Sequence, residues 1–181
     1  MNRISLPTSC LLDKNVVREA LRGLVHETLS RHLPPRQGIS LAVVRMLIAY
    51  GGLLYITPEL WHLLERPTNS PLASPFLPYL RILRPGRYLK RWSRRLTEEG
   101  FAHEDALILS YASFGFDALE KTFGVEMVLT NDLRMKDRYA RGFPRIEARF
   151  ARMIRQLQAP YQQATLPEIM SAEELWALLV L

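Results

Sequence analysis

The chain has 181 residues, of which 48% are hydrophobic and 23% charged, with a formal net charge of +6 and a pI near 9.8. This length suits one domain with a proper core, and the composition excludes an intrinsically disordered chain. The apolar stretch Leu41 to Ile56 is broken by Arg45 and Gly51-Gly52 and is too short for a membrane span, and Met1 to Pro7 has no long apolar run of the kind a secretory signal needs.

One cysteine, Cys10, excludes an intrachain disulfide and fits a reducing cytosol, so a cytoplasmic protein is expected. Cys10 itself reads as a buried strand residue rather than a nucleophile. Lysine occurs only at Lys14, Lys90, Lys121 and Lys136, so the positive charge is mostly arginine. Guanidinium forks grip phosphate oxygens two at a time, which points towards nucleic acid. A basic pI also occurs in proteins that touch none.

Taken in chain order, Ser9 to Asp13 is a short apolar run ending in an acid, which predicts a buried strand. Asn15 to His32 has helical apolar spacing and is closed by Pro34-Pro35. Leu41 to Ala49 predicts a second, buried helix, and Leu53 to Ile56 a second strand. Thr57-Pro58 supplies a cap and a first-turn proline for a helix that Pro67 ends. A proline-rich loop, Pro67 to Pro78, leads to a basic helix, Pro85 to Glu99, so a basic helical insertion is expected around residues 67–100. Glu104 to about Lys121 is apolar and helical. Val125 to Thr130 is the third clear strand, Phe143 to Gln158 is helical, Tyr161 to Leu166 is extended and Ser171 to Leu179 is a capped helix. Strands alternating with helices predict an α/β fold with a central parallel sheet covered on both faces. Ligands of such sheets bind beyond the carboxyl ends of the strands.

The acids fall at those ends. Asp13 closes the first strand, Asp132 follows the third, and Asp105 lies in the first turn of a helix, where free N–H groups favour a carboxylate. A parallel sheet gathers distant strand ends at one edge. Three carboxylates meeting there repel one another unless a cation neutralises them, and hard oxygen ligands suit Mg²⁺ or Mn²⁺. Each acid also has a plainer reading: Asp13 and Asp105 as helix caps, Asp132 as a turn residue.

These motifs resemble the PIN-domain family. Leu11-Leu-Asp-Lys-Asn-Val-Val17 is similar to its opening motif, and Glu104-Asp-Ala-Leu-Ile-Leu109 followed by Ala112 to its central helix. Val128-Leu-Thr-Asn-Asp132 resembles its Thr-Asn-Asp strand end, and Pro167 to Leu175 its closing strand-to-helix segment. The likeness covers most of the chain in the right order. It implies a single three-layer α/β/α domain over residues 1–181, a Mg²⁺- or Mn²⁺-dependent ribonuclease and often a homodimer. Many members are toxins of toxin–antitoxin pairs (VapC type), which implies an antitoxin protein as a partner. By resemblance, Asp13, Asp105 and Asp132 take the metal, with Asn15, Thr130 and Asn131 in support. Thr130 and Asn131 have the alternative of only shaping the turn.

The chain also departs from the family. A glutamate is usual about six residues after the Ser/Thr that ends the second strand, and counting from Thr57 reaches Leu63. Glu59, one helical turn earlier, is the substitute on roughly the same face, whereas Glu65 points away. A plain role for Glu59 in the first turn of its helix stays open. His62 reads as an exposed helix residue. Lys14 stands where the family has a small hydroxyl residue, and Phe114 to Phe123 is longer than the usual connection.

Two basic stripes complete the pattern. Helical spacing puts Arg84, Arg87, Lys90, Arg91, Arg94 and Arg95 in one arc, opposite Leu89, Trp92 and Leu96. Arg138, Arg141, Arg145, Arg149 and Arg152 form a second stripe. Each is read as a solvated face, as a phosphate track towards the acids with Arg87, Lys90, Arg91, Arg94 and Arg95 in contact with RNA, or as a surface for an acidic partner. A membrane surface does not fit, because the opposite face is committed to the core. Two functions follow: an endoribonuclease using Asp13, Asp105, Asp132 and Glu59, or a degenerate module that binds RNA or a protein without cutting. A dehalogenase-type phosphatase would need an aspartate where Asn15 stands, the acidic pair and late lysine of a receiver domain are missing, and no glycine-rich phosphate loop is present.

Overall fold

The structure, a computed structural model, describes residues 6–180. In chain order it runs β1 (Ser9–Leu12), α1 (Lys14–Thr28), α2 (Pro35–Ala49), β2 (Leu53–Ile56), α3 (Pro58–Leu64), α4 (Ser70–Ala73), β3 (Leu80–Ile82) and β4 (Arg84–Pro85). It continues with α5 (Leu89–Glu98), α6 (His103–Phe114), β5 (Gly115–Asp117), β6 (Thr122–Phe123), β7 (Met127–Leu129), α7 (Leu133–Ile154), β8 (Glu168–Met170) and α8 (Ala172–Val180). Five strands form one parallel sheet in the order β3-β2-β1-β7-β8, and β4-β5-β6 form a small antiparallel sheet. Helices cover both faces, giving a three-layer α/β/α fold.

Side-chain alternation along the strands sorts the core into two halves. Leu11, Tyr55 and Val128 pack with α5, α6 and α7, whereas Cys10, Leu12, Leu54, Ile56, Met127 and Leu129 pack with α1, α2, α3 and α8. The first half holds an aromatic column, with Trp92 edge-on to Phe150 at 5.0 Å and Phe114 tilted on Phe150 at 5.6 Å. Burying side chains of this size contributes about 1.5–3 kcal/mol each.

Local chemistry explains several ends. Thr57 Oγ1 accepts from the Leu60 N–H at 3.3 Å above Pro58, which starts α3. Ser171 and Glu174 form a reciprocal capping box at α8: the Glu174 N–H donates to Ser171 Oγ at 3.1 Å and the Ser171 N–H to Glu174 Oε2 at 2.9 Å.

Other segments differ from expectation. Pro35 opens α2 rather than only closing α1, because proline suits the first helical position. The 67–100 segment is not simply a loop and a helix. It contains α4, the edge strand β3 and strand β4, so it completes the sheet, and Arg84 and Arg87 precede α5 rather than ride on it. The helix expected to run to Lys121 stops at Phe114, where Gly115 turns the chain into β5. Tyr161 to Leu166 is not a strand: residues Tyr161–Gln163 make a short 3₁₀ turn and the strand follows at β8. Finally, α7 begins ten residues before Phe143 and runs through Gly142 and Pro144. Burial of Met135, Tyr139, Ile146, Phe150 and Met153 along one face outweighs both breakers.

Candidate active site

From β1 the chain first builds outward through β2 and β3, then returns to pair β7 on the other side of β1. The reversal of strand order therefore falls between β1 and β7, where a crevice opens at the carboxyl ends. Leu12 pairs with Leu129, and the Asp13 N–H donates to the Leu129 carbonyl at 3.0 Å. Asp13 and Thr130-Asn131-Asp132 thus leave adjacent strands side by side.

The three residues after β7 have separate tasks. Thr130 Oγ1 donates to Asp13 Oδ2 at 2.7 Å and accepts from the Asp132 N–H at 3.0 Å. Asn131 turns inward, donating to Ser40 Oγ of α2 at 3.1 Å and accepting from the Ala172 N–H of α8 at 3.3 Å. Asp132 Oδ1 caps α7 through the N–H groups of Arg134 and Met135, at 2.9 and 3.1 Å. Asp13 realises its capping reading at α1, and Asp132, read as a turn residue, proves to cap α7 while lining the cleft.

Asp13 is buried and accepts from the Lys14 N–H and from Asn15 Nδ2, both at 2.6 Å, besides Thr130. Asn15 in turn accepts from the Asn131 N–H at 2.8 Å, which locks the two motifs together. Burial pushes the Asp13 carboxyl up, against the Thr130 and Lys14 donors that favour its charge, and Asp132 adds repulsion. Asp105 does not cap α6, whose cap position is Ala102. Its carboxyl is also raised, by burial first and then by Asp132, Asp13 and Glu104. The four acids therefore feel one another.

Asp13, Glu59, Glu104, Asp105 and Asp132 line one cleft of about 360 Å³, together with Asn15, Thr57 and Leu63. Among the described residues, Lys14 is the only cation lining that cleft, and it pairs with Glu104. Glu59 faces this cleft and accepts from the Tyr111 hydroxyl at 3.5 Å; burial and the Glu59 charge push that phenol up to about 12. Leu63 is there too, exposed. His62 is exposed beside Glu65 and lines no part of the cleft. Sequence reasoning missed Glu104 and Tyr111 as site residues. Spacing could have found both, because Glu104 adjoins Asp105 and Tyr111 lies on the same helix. Cys10 is fully buried, and desolvation pushes its thiol up to about 12, which removes it from nucleophilic chemistry.

The first basic stripe lies elsewhere. Tyr88, just before α5, stacks edge-on to Phe114 at the end of α6, with ring centroids 6.3 Å apart, so the two helices run antiparallel. Arg87 and Lys90 consequently stand at the opposite end of α6 from Asp105, about 14 Å along the axis at 1.5 Å per residue. Arg91 donates to Gln156 Oε1 at 3.3 Å. Arg95 is lowered by desolvation and by the neighbouring Arg91, Arg149 and Arg94 charges. On α7, Arg149 bonds Glu98 and Glu99 of α5 at 2.9 and 2.7 Å, which fastens the two helices.

Among the described residues, no group of three His, Cys, Asp or Glu side chains is placed so that it could hold a metal ion as it stands, and no helix is long and apolar enough to cross a membrane. The fold and cleft define a class, a three-layer α/β/α protein with carboxylates at the switch point of its parallel sheet. No protein-family model, curated protein or solved structure matches the chain.

Proposed function

We propose that the protein is a divalent-metal-dependent endoribonuclease of the PIN type. The observation that carries this reading is the gathering of five carboxylates against one lysine in a cleft at the switch point, with Asp13 and Asp105 pushed up by burial and by their neighbours. Such a donor set, all hard oxygens, suits Mg²⁺ or Mn²⁺. The side chains as placed do not close around one point, but Glu59 and Glu104 are exposed and have room to turn inward. Asp13, Asp105 and Asp132, with Glu59, are the residues that would hold the ion. Bound there, the cation supplies Lewis-acid stabilisation of a phosphoryl oxygen and eases the deprotonation of an attacking water.

The chain's own contribution is orientation. Three donors fix the Asp13 carboxylate, so it cannot swing away. Asp132 commits one oxygen to the α7 cap and keeps the other for the cleft. Tyr111 holds Glu59 towards the same space. RNA is the substrate we infer, with an antitoxin protein and a second copy of the chain as further partners in a cytoplasmic setting.

The test is cleavage of a labelled single-stranded RNA by purified protein with Mg²⁺, Mn²⁺ or EDTA, beside Asp132→Asn. Asparagine is an equally good helix cap, so this variant removes the charge and keeps α7 started. Metal-dependent cutting that the variant loses supports the reading. Full cutting by the variant would end it.

A second reading is favoured by the Lys14–Glu104 ion pair at the cleft and by Leu63 in the place of the family glutamate. It is a module that binds RNA or a protein without cutting. Binding that EDTA leaves unchanged, with no cleavage under either ion, would support it.

A further inference from the structure

A second cleft, of about 340 Å³ and predominantly polar, lies between the α5–α6 loop and α7. Arg138, Arg141 and Arg145 form one wall, and Glu99 and Phe101 the other. Positions spaced by three and four residues share a helix face, so the three guanidinium groups reach into one space.

Their pairings leave donors unused. Arg138 Nη1 donates to the Gly100 carbonyl, at a residue of φ +90°, where an added Cβ would meet that nitrogen at 2.8 Å. Arg141 bonds only a carbonyl of its own helix, Asp137 O, at 3.3 Å, and pairs with no carboxylate among the described residues. Arg145 is three-quarters exposed and reaches Glu99 only at 3.6 Å, while Glu99 is held more closely by Arg149 Nε at 2.7 Å. Three cations thus face one carboxylate already engaged elsewhere. Arg138 bonds the Gly100 carbonyl in the loop that leads into α6, and its charge is felt by Asp105 on that helix, so this cleft adjoins the acidic one.

We propose that the Arg138–Arg141–Arg145 cleft is a phosphate-binding subsite for the backbone of a single-stranded nucleic acid, and that it, rather than the α5 face, sets affinity. Planar guanidinium forks match phosphate oxygens bidentately, and a cleft of this volume admits a nucleotide-sized group. On the α5 side, Arg87 and Lys90 lie at the far end of α6 from Asp105, Arg91 is engaged by Gln156 and Arg95 is crowded by Arg91, Arg94 and Arg149. The position of the subsite beside the acids rests on the nuclease reading, but its binding of nucleic acid does not.

The experiment is anisotropy of a fluorescent single-stranded RNA titrated with full-length protein in EDTA, at several salt concentrations. It compares wild type, Arg141→Gln/Arg145→Gln and, as a control, Lys90→Gln/Arg94→Gln. Because the buffer holds no metal, cleavage plays no part, and loss of activity elsewhere leaves the result readable. The α7 double variant is expected to bind roughly tenfold or more weakly, as for lost charged hydrogen bonds. Its salt slope should fall by ~1.4, at about 0.7 per lost phosphate contact on a single strand. The α5 variant should bind close to wild type. Thermal unfolding of each variant accompanies the titration, and the single substitutions Arg141→Gln and Arg145→Gln replace the pair if it unfolds early. Equal binding and slope in the α7 variant, with loss in the α5 variant, would overturn the proposal. So would tighter binding of poly-glutamate than of RNA, which would assign the cleft to an acidic protein.

Discussion

Thr130 Oγ1 donates to Asp13 Oδ2 at 2.7 Å across 117 positions of sequence, and the same oxygen accepts from the Asp132 N–H. One hydroxyl thereby fixes a buried carboxylate and the turn that presents a second. Thr130→Val keeps the shape and removes both bonds. Asp13 Oδ2 keeps its Asn15 donor, while the half-buried Asp132 N–H loses its partner, so urea unfolding should show a loss of roughly 1–3 kcal/mol. Thr130→Ser should recover most of it. A valine variant as stable as wild type would show that the bond contributes little.

Asp105 carries an opposite expectation. Its carboxyl is pushed up by burial and by repulsion from Asp132, Asp13 and Glu104, while Arg138 favours its charge. Asp105→Asn should therefore raise the unfolding temperature in EDTA, by an amount equivalent to a few tenths to about 1 kcal/mol for a half-buried group. Adding Mn²⁺ should raise the wild type more than the variant, since a ligand bound only by the folded state stabilises it. Equal Mn²⁺ responses would remove Asp105 from the ligand set.

Asp117 sets a pH dependence at the β3–β2 side of the sheet. It is buried, and burial opposes its charge. The Tyr55 hydroxyl at 2.7 Å, the Leu119 and Glu120 N–H groups and Arg81 together outweigh that cost and hold the carboxyl below the usual range. A depressed folded-state value means stability that is present above the unfolded value, near ~3.9, and lost as pH falls through the lower folded value. Asp117→Asn should thus be clearly less stable than wild type at neutral pH, with the gap narrowing below about pH 4. A gap constant from neutral to strongly acidic pH would mean that the charge on Asp117 does not matter.

Two glycines should respond in opposite directions. At Gly86 an added Cβ would lie 2.0 Å from the Phe114 carbonyl oxygen, so Gly86→Ala must push α5 off α6 and should cost more than ~3 kcal/mol. Gly142 lies inside α7, where an added Cβ meets only the flexible Ile146 side chain, at 3.3 Å. Gly142→Ala should be stabilising by up to ~1 kcal/mol from helix propensity. Chemical denaturation of the two variants side by side checks both.

The acids and the order of strands and helices were legible because they depend on local chemistry. Apolar runs ending in an acid marked β1 and β7, and proline and threonine marked the start of α3. Strand β3 escaped notice, and β8 was reached only through the resemblance of Pro167 to Leu175, because each is three residues long and what makes it a strand is the neighbour it pairs with. The full length of α7 was hidden for a related reason: Gly142 and Pro144 are breakers locally, and only the buried face from Met135 to Met153 overrides them.

The sequence by itself determined which carboxylates sit at strand ends and that arginine dominates the charge. Only the tertiary structure decided which of these meet. The reversal of strand order beside β1 brings Asp13 against Asp132 and sets α6 so that Asp105 and Glu104 face them. The antiparallel turn from α5 to α6 carries Arg87 and Lys90 away from those acids, while α7 brings Arg138 to the loop before α6, within electrostatic reach of Asp105. Periodicity gives the face on which a side chain lies. The distance between two faces depends on contacts far apart in sequence, and no local pattern encodes it.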